Sequence, residues 1–364
     1  MEIKNVTRTT LPPFEEYCEQ IRKIWDSHIM TNMGEEHERF ERELKSFLGC
    51  RGLRLFANGH LALEAALRVM NLPAGSEIIT TPFTFPSTVH AVVRCGFVPV
   101  FCDVLAEDGT MDSSMAEKLI NGNTSAILPV HVYGNPCDTD SFEQLASKHG
   151  LKLIFDAAHT FGVKYKGKSL VCRGDASILS FHATKVFSTI EGGAVCYSDE
   201  ALSEPLENER NFGIRDYESC VAAGGNAKMN EFQAAMGICN LKHVNDDIAR
   251  RQELSDCYHA CLDGRPGVRI LSPRAGTETN GAYLPVILEH GRDAVYEALR
   301  KEGIMCRKYF YPLVSRMECY TGRLPEGDTP VAAALASGVL ALPIYPDLTP
   351  KEAEMISRRL LLYL

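Results

Sequence analysis

The sequence lacks the features that mark membrane and secreted proteins. Its first thirty residues mix polar and charged side chains and contain no apolar stretch of the kind found in a signal peptide. No apolar run approaches the roughly 18 residues that a membrane helix needs. The 13 cysteines include no CxxC pair, so they indicate reduced thiols rather than a disulfide framework or a zinc site. We therefore expect a cytoplasmic protein without a metal centre.

An excess of positive charge is also missing. The chain carries 38 lysines and arginines against 47 acidic residues, a formal net charge of −9. Because nucleic-acid binders are normally basic, this balance argues against that class of protein. It does not exclude a nucleotide-bearing small molecule, which needs only a few local cations. The length of 364 residues and a hydrophobic content of 45% predict a large domain with a sizeable core and a smaller second domain.

Short apolar runs alternate with helix-like stretches between about residues 50 and 200. The predicted strands are Leu53–Phe56, Glu77–Thr80, Val98–Phe101, Ser125–Val130, Lys152–Phe155, Ala176–Phe181 and Gly193–Tyr197. Because these runs are apolar throughout, they predict an α/β fold with a mostly parallel seven-stranded sheet covered on both faces. Ligands bind such sheets at the carboxyl ends of the strands.

The C-terminal third follows a different pattern. Residues 228–263 are predicted to be helical, and a strand–helix–strand–helix order follows the turn at residues 264–267. We therefore predict a large domain over residues 1–245 and a smaller α+β domain over residues 246–364.

Two turns that follow predicted strands carry candidate binding residues. Gly59 and His60 lie where a strand passes into a helix, and the free N–H groups at a helix start suit a phosphate. The alternative is an ordinary strand–helix turn. Phe85 follows the next strand and could stack on a flat ring, or it could belong to the core.

Two further strands lead to candidate catalytic residues. Asp156 ends an apolar run; a buried carboxylate needs a cationic partner such as a protonated pyridine nitrogen, unless it caps a helix. Lys185 lies between two apolar runs. A desolvated lysine has a lowered pKa and acts as a nucleophile, whereas most lysines are solvated surface residues.

Four strings in order give these residues a common context: ILPVHVYGNPCD, IFDAAHTFG, SFHATKVFSTIEGGAV and GGNAKMNEFQAA. With them the chain resembles the sugar aminotransferases of the DegT/DnrJ/EryC1/StrS family. The resemblance is close over roughly residues 30–260 and looser beyond. It implies the fold of type I enzymes that use pyridoxal 5′-phosphate (PLP), with a large PLP-binding domain, and a homodimer with shared active sites.

The resemblance implies a role for each matching residue. Lys185 matches the lysine that forms a Schiff base with PLP, and Asp156 matches the carboxylate that keeps the pyridine nitrogen protonated. Phe85 matches the aromatic residue that stacks on the ring. Ser180 and the turn Gly59–His60 match the groups that hold the phosphate.

Some positions depart from the family pattern. His60 stands where the family usually has threonine or serine, so the backbone donor survives but the hydroxyl is lost. His159 stands where a glutamine usually bonds the cofactor O3′, and a neutral imidazole with a proton on the facing nitrogen can donate the same bond. Asn226 matches an asparagine that reaches the phosphate of the neighbouring subunit, with Lys228 where arginine is usual; alternatively Asn226 caps the following helix.

The C-terminal run RKYFYPL resembles the segment that closes over the substrate, which makes Lys308, Tyr309 and Tyr311 candidate substrate-binding residues. Solvated surface charge is the other interpretation of this run.

The implied reaction moves the amino group of L-glutamate onto a keto sugar linked to a nucleotide diphosphate and leaves 2-oxoglutarate. The strings LPPFEEY and TNMGEEHERFE are most similar to enzymes that aminate C4 of a dTDP-4-keto-6-deoxyhexose, in deoxyamino sugar biosynthesis such as that of the lipopolysaccharide O-antigen. Lysine at position 185, rather than the histidine of the dehydratases in the family, favours transamination. Amination at C3, sugar dehydration, cysteine desulfuration and a non-catalytic regulatory role remain alternatives.

Overall fold

The computed structural model describes residues 3–324 and 326–364. Within these ranges the α-helices are α1 (Phe14–Ser27), α2 (Glu35–Leu48), α3 (Gly59–Arg68), α4 (Pro86–Arg94), α5 (Ser113–Leu119), α6 (Thr139–His149), α7 (Ser203–Arg210), α8 (Glu231–Leu262), α9 (Arg292–Lys301), α10 (Pro330–Gly338) and α11 (Pro350–Tyr363). In the same ranges, no helix combines the length and the apolar character needed to cross a membrane.

A seven-stranded sheet forms the centre of the larger part of the molecule. Its strands are β1 (Gly52–Phe56), β2 (Glu77–Thr80), β3 (Val98–Phe101), β4 (Thr124–Ile127), β5 (Lys152–Asp156), β6 (Ala176–Ser180) and β7 (Gly193–Tyr197). They lie in the order β1-β7-β6-β5-β4-β2-β3. Strand β7 runs antiparallel to both neighbours and the other six run parallel to one another. The predicted mostly parallel sheet is confirmed.

The sheet is apolar on both faces because helices cover both. On one face, Leu55 and Leu179 pack with α2 and α8. On the other, Ile178 and Val195 pack with α3 and α4. Neighbouring residues of one strand thus enter different cores, which explains the continuous rather than alternating apolar runs.

Strand β4 is shorter than predicted. It ends at Ile127, whereas the sequence suggested an end at Val130. Pro129 has no N–H to continue the ladder, and its carbonyl accepts from Asp156 N at 2.9 Å instead.

A second sheet of three antiparallel strands lies in the C-terminal part. It consists of β8 (Val268–Ile270), β9 (Leu284–Leu288) and β10 (Val339–Leu342), with β9 in the middle. Helices α9 and α11 and the C-terminal half of α8 share its core. Near the N-terminus, Lys4–Asn5 pairs in parallel with Ile304–Met305, so the chain start lies against this second unit.

The predicted domain boundary at residues 245 and 246 falls inside α8, which runs without interruption from Glu231 to Leu262. Its first half, including Ile238 and Val244, packs with the large sheet, and Leu254 and later residues pack with the small one. Because α8 is continuous and packs in both cores, the sequence shows no change of pattern at that boundary. The division into two domains therefore stays a prediction.

The remaining short strands and 3-10 helices lie in the connections: strands Lys164–Tyr165, Lys168–Ser169, Ile214–Asp216, Ser219–Cys220 and Thr277–Glu278, and 3-10 helices Val132–Gly134, Leu170–Cys172, Glu200–Leu202 and Val314–Arg316.

Candidate active site

The predicted site residues meet at one edge of the large sheet. Gly59 follows β1, Phe85 follows β2, Asp156 ends β5 and Ser180 ends β6. These four strands are parallel, so their carboxyl ends lie at the same edge. Lys185 lies in the connection from β6 to the antiparallel strand β7, which returns from that edge.

Lys185 is half-buried, and its side chain shares a small cavity with His159, Ser180 and Tyr283. Its Nζ lies 6.0 Å from the centroid of the Tyr283 ring. Burial lowers the pKa of Lys185 to about 8, with a partial offset from the charge of Asp156 and the hydroxyl of Tyr309. The alternative of a solvated surface lysine is therefore wrong.

Asp156 is a buried carboxylate whose hydrogen-bond donors are neutral groups. Its Oδ2 accepts from Thr88 Oγ1 at 2.7 Å and its Oδ1 from Ala158 N at 3.1 Å. No helix follows it, so it is not a helix cap. Burial raises the pKa of Asp156, while the bonds from Thr88 and Ala158 and the charge of Lys185 act in the opposite sense. A hydrogen-bonded carboxylate in such a place fits a ligand that brings a positive ring nitrogen.

Gly59 and Ser180 form the floor of a cradle at the start of α3. A Cβ added to Gly59 would lie 2.8 Å from the Cβ of Ser180 and 3.1 Å from its Oγ, so the close approach needs glycine. Asn58 caps the helix by accepting from Leu61 N at 2.9 Å. The N–H groups of Gly59 and His60 have no partner within the helix, and this end of a helix attracts anions.

The side chain of His60 is engaged elsewhere. Its Nδ1 lies 2.8 Å from Ser87 Oγ and its Nε2 lies 3.2 Å from Oε1 of the buried Glu64. The imidazole thus links α3 to α4, and only the backbone of His60 is left for a phosphate.

Phe85 is the N-cap residue of α4, and its side chain is 56% exposed. The alternative that this aromatic residue belongs to the core is therefore wrong. An exposed ring at the sheet edge is available to stack on a flat ligand.

His159 is buried, and its hydrogen bond assigns its tautomer. Its Nδ1 accepts from Tyr133 N at 3.1 Å, so the proton of the neutral ring is on Nε2. Burial and the charge of Lys185 both lower the pKa of His159 well below 6.5. His159 therefore presents a neutral ring with an Nε2–H donor, as its predicted role requires.

Asn226 is exposed and does not cap α8. Asn230 holds that position in a capping box with Gln233, so the capping alternative is wrong. Lys228 Nζ donates to Asn226 Oδ1 at 3.1 Å and lies 4.7 Å from the centroid of the Phe212 ring. The amide nitrogen of Asn226 remains available to donate to another group.

The predicted substrate-binding residues lie in two different surroundings. Tyr309 lies near Lys185 and interacts with it electrostatically. Lys308 pairs with Asp293 of α9 at 2.6 Å. Tyr311 is exposed, with the guanidinium of Arg292 at 4.5 Å from its ring centroid. Tyr309 alone of the three contacts the surroundings of the lysine, and the other two contact α9.

A family model decides the relationship. The model described as the DegT/DnrJ/EryC1/StrS aminotransferase family matches residues 14–361. The chain belongs to this aminotransferase family. It is 38% identical to the dTDP-4-amino-4,6-dideoxy-D-glucose transaminase of Escherichia coli, over 98% of this chain and 97% of the relative. It is 32% identical to the dTDP-3-amino-3,4,6-trideoxy-alpha-D-glucose transaminase of Streptomyces venezuelae, over 88% and 85%.

Solved structures agree with this assignment. The crystal structure of DesI in the presence of its TDP-sugar product has a TM-score of 0.94 and 31% identity, covering 100% of this chain and 93% of that one. Helicobacter pylori PseC, an aminotransferase involved in the biosynthesis of pseudoaminic acid, has a TM-score of 0.94 and 26% identity, covering 100% and 99%. The predicted family, fold class and aminotransferase activity are confirmed.

Several residues that contact this aminotransferase site were not predicted from the sequence. Thr88, three residues after Phe85, anchors Asp156 and could have been suspected from its place in the same segment. Tyr133 lies inside one of the four strings, yet nothing in its spacing indicates a contact with His159. Tyr283 comes from the second unit and left no signal in the sequence.

Proposed function

We propose that the protein is a PLP-dependent transaminase that moves the amino group of L-glutamate onto a keto sugar linked to a nucleotide diphosphate, giving 2-oxoglutarate and the amino sugar. One observation carries the proposal: Asp156, a buried carboxylate with neutral hydrogen-bond donors, shares a sheet edge with Lys185, a lysine of lowered pKa. PLP, when bound, supplies an electron sink that lets an amino group and a proton move between two carbon skeletons.

The residues present fit this cofactor. Asp156 would face the ring nitrogen, and His159 would donate from Nε2 to the ring oxygen. Phe85 would stack on the ring. The cradle of Gly59 and Ser180 would hold the phosphate, since the space beside Ser180 exists only because position 59 has no Cβ.

Lys185 would move the proton. Its Nζ, as a free amine, can accept the α-proton of L-glutamate, and as an ammonium it can return a proton in the second half of the reaction. A pKa of about 8 keeps both states accessible near neutral pH. Tyr309 supports the ammonium form.

The sugar is proposed from the relatives. The Escherichia coli relative is named for a 4-amino sugar, which supports a dTDP-4-keto-6-deoxyhexose as acceptor. The Streptomyces venezuelae relative is named for a 3-amino sugar, so amination at C3 is the second candidate. Lys308 and Tyr311 contact α9 in the structure, and they stay candidates for contacts with the nucleotide diphosphate.

A homodimer with shared sites belongs to the proposal. Asn226 is exposed, does not cap α8 and has its amide oxygen occupied by Lys228. Its amide nitrogen would donate to the phosphate of the cofactor bound by the second subunit.

Isotope transfer tests the proposed function. The PLP-loaded protein is incubated with ¹⁵N-labelled L-glutamate and a panel of nucleotide-linked 3-keto and 4-keto sugars, and the products are analysed by mass spectrometry. We expect ¹⁵N in one sugar nucleotide and none with Lys185→Ala. Loss of water without ¹⁵N would indicate a dehydratase, and alanine formed in a parallel incubation with L-cysteine would indicate a desulfurase. No transfer to any sugar by PLP-loaded protein would contradict the proposal.

A further inference from the structure

Tyr133 has an unusual backbone conformation beside the candidate site. It lies in the turn after β4 with φ 60° and ψ 2°, in the left-handed region. A bulky residue rarely adopts this region, and it persists there only when the surroundings enforce it. The turn is held against the end of β5, because His131 N donates to Asp156 O at 3.0 Å.

The backbone of Tyr133 determines which nitrogen of His159 carries the proton. Its N–H donates to His159 Nδ1 at 3.1 Å, so Nδ1 is an acceptor and the proton of the neutral ring lies on Nε2. The backbone of His159 is also fixed, since the buried Asn280 donates from Nδ2 to its carbonyl oxygen at 2.9 Å. One hydrogen bond therefore holds the imidazole at Nδ1, and another holds the backbone of His159.

The side chain of Tyr133 contacts the C-terminal segment that carries Tyr309. Its ring lies parallel to Phe310, with centroids 5.7 Å apart and planes at 10°. Its hydroxyl donates to the carbonyl oxygen of Tyr309. Phe310 is in turn parallel to His159, at 6.2 Å and 6°. Burial raises the pKa of the Tyr133 phenol well above 10, so the hydroxyl keeps its proton.

From these contacts we propose that Tyr133 is a positioning residue that joins the Tyr309–Phe310 segment to His159 and holds the imidazole with Nε2–H directed to the ligand. This inference rests on the proposed function, in which that N–H serves the ring oxygen of PLP. Tyr133 acts through His159. One residue thus connects the Tyr309–Phe310 segment to the imidazole that would donate to the ring oxygen of PLP.

Tyr133→Phe tests the connection, because it removes the hydroxyl and keeps the ring. Without the bond to the Tyr309 carbonyl, the strained turn relaxes and the N–H is directed less well at His159. An N–H donor favours the cofactor form with more negative charge on the ring oxygen, so a weakened donor raises the pH midpoint of the visible absorbance change of bound PLP. We expect an upward shift of ~0.5 pH unit or more.

Two variants serve as controls. Tyr258→Phe removes another buried tyrosine-to-carbonyl bond, to Pro343 O at 2.8 Å, in the C-terminal core, and should leave the midpoint unchanged. His159→Phe keeps a flat ring without nitrogen, and in that background Tyr133→Phe should shift the midpoint no further. Apart from the substituted residues, the titratable groups around position 159 stay unchanged in these variants: Asp156, Lys185, Tyr283 and Tyr309.

A second measurement needs no variant and no cofactor. The ¹⁵N chemical shifts of His159 in the free protein should show an unprotonated Nδ1 and a protonated Nε2. The opposite tautomer would overturn the inference, as would a folded, PLP-binding Tyr133→Phe variant with the wild-type midpoint. Wild-type protein that binds no PLP would refute the proposed function, while the nitrogen shifts would still test the role of Tyr133.

Discussion

Burial shifts the pKa values of Lys185 and Asp156 in opposite directions. Burial lowers the pKa of the lysine to about 8 and raises that of the aspartic acid, because each group is easier to bury uncharged. Their mutual attraction offsets part of both changes. A cofactor with a positive ring nitrogen would stabilise the charged form of Asp156 and leave Lys185 free to exchange its proton.

The lowered pKa of Lys185 predicts how the protein without cofactor takes up PLP. Only the free amine attacks an aldehyde, so the rate of uptake should rise with pH and level off above about 8. An exposed lysine, with its usual pKa of 10.5, would keep gaining rate well beyond that point. Stopped-flow absorbance from pH 6 to 10 measures the profile, and a rate still rising steeply at pH 10 would rule out the lowered pKa.

Asp156→Asn should separate folding from function. The amide keeps the size and can still meet Thr88, but it cannot oppose a ring nitrogen. Because breaking a buried ion pair costs about 3–5 kcal/mol, turnover should fall on the order of a hundredfold or more and PLP should bind more weakly. Asp112→Asn, which keeps a capping side chain on α5, is the matched control. Near-normal turnover of Asp156→Asn would show that Asp156 does not face the ring nitrogen.

At the level of elements, the sequence predicted the strand ends to within one residue except in β4, and it predicted the side-chain contacts poorly. Apolar runs that enter two cores identify β5 and β6, and so place Asp156 and Ser180 at one edge. The tautomer of His159 depends on an N–H from a separate turn, and the partner of Lys308 lies on α9. Such contacts join segments that are far apart in the chain, so no local sequence pattern predicts them.

The start of α3 gives a prediction about the phosphate cradle. In Gly59→Ala the new methyl group would press on Ser180, which lies only 2.8 Å from the added Cβ. Overpacking of this kind costs about 1–3 kcal/mol, so the Kd for PLP should rise roughly tenfold or more. Gly122→Ala adds the same methyl group in open space and should leave the Kd for PLP unchanged.

Pyridoxal, which lacks the phosphate, tests whether the Gly59→Ala change acts only on phosphate binding. Its affinity should be nearly the same in wild type and Gly59→Ala, measured by the same absorbance titration. If Gly59→Ala weakens pyridoxal and PLP equally, the cradle does not serve the phosphate.

At the level of the whole molecule, the segment around Asn226 stands out because it is exposed in the single chain. Phe212, Ile214, Tyr217 and Val221 are exposed apolar residues in the preceding stretch. In the proposed homodimer, this stretch is a candidate surface for contact with the second copy. Sequence alone could suggest this role only through the resemblance, because Asn226 and Asn230 are equally good caps by residue type.

Mixing two defective variants tests the shared site. Lys185→Ala removes the amine, and Asn226→Asp places a carboxylate against the phosphate, so each should be nearly inactive alone. After subunit exchange, a mixed dimer would hold one site with both defects and one with neither. Activity should recover toward about a quarter of wild type. A mixture that stays inactive despite proven exchange would place Asn226 in the site of its own subunit.

The lysine that carries the cofactor can be identified by chemical reduction. PLP-loaded protein is reduced with borohydride, digested and mapped by mass spectrometry. We expect the mass of the reduced cofactor on the peptide that contains Lys185, in yield close to the PLP content, and no label in Lys185→Ala. Label on another lysine, or none on protein that demonstrably holds PLP, would show that Lys185 does not form the Schiff base.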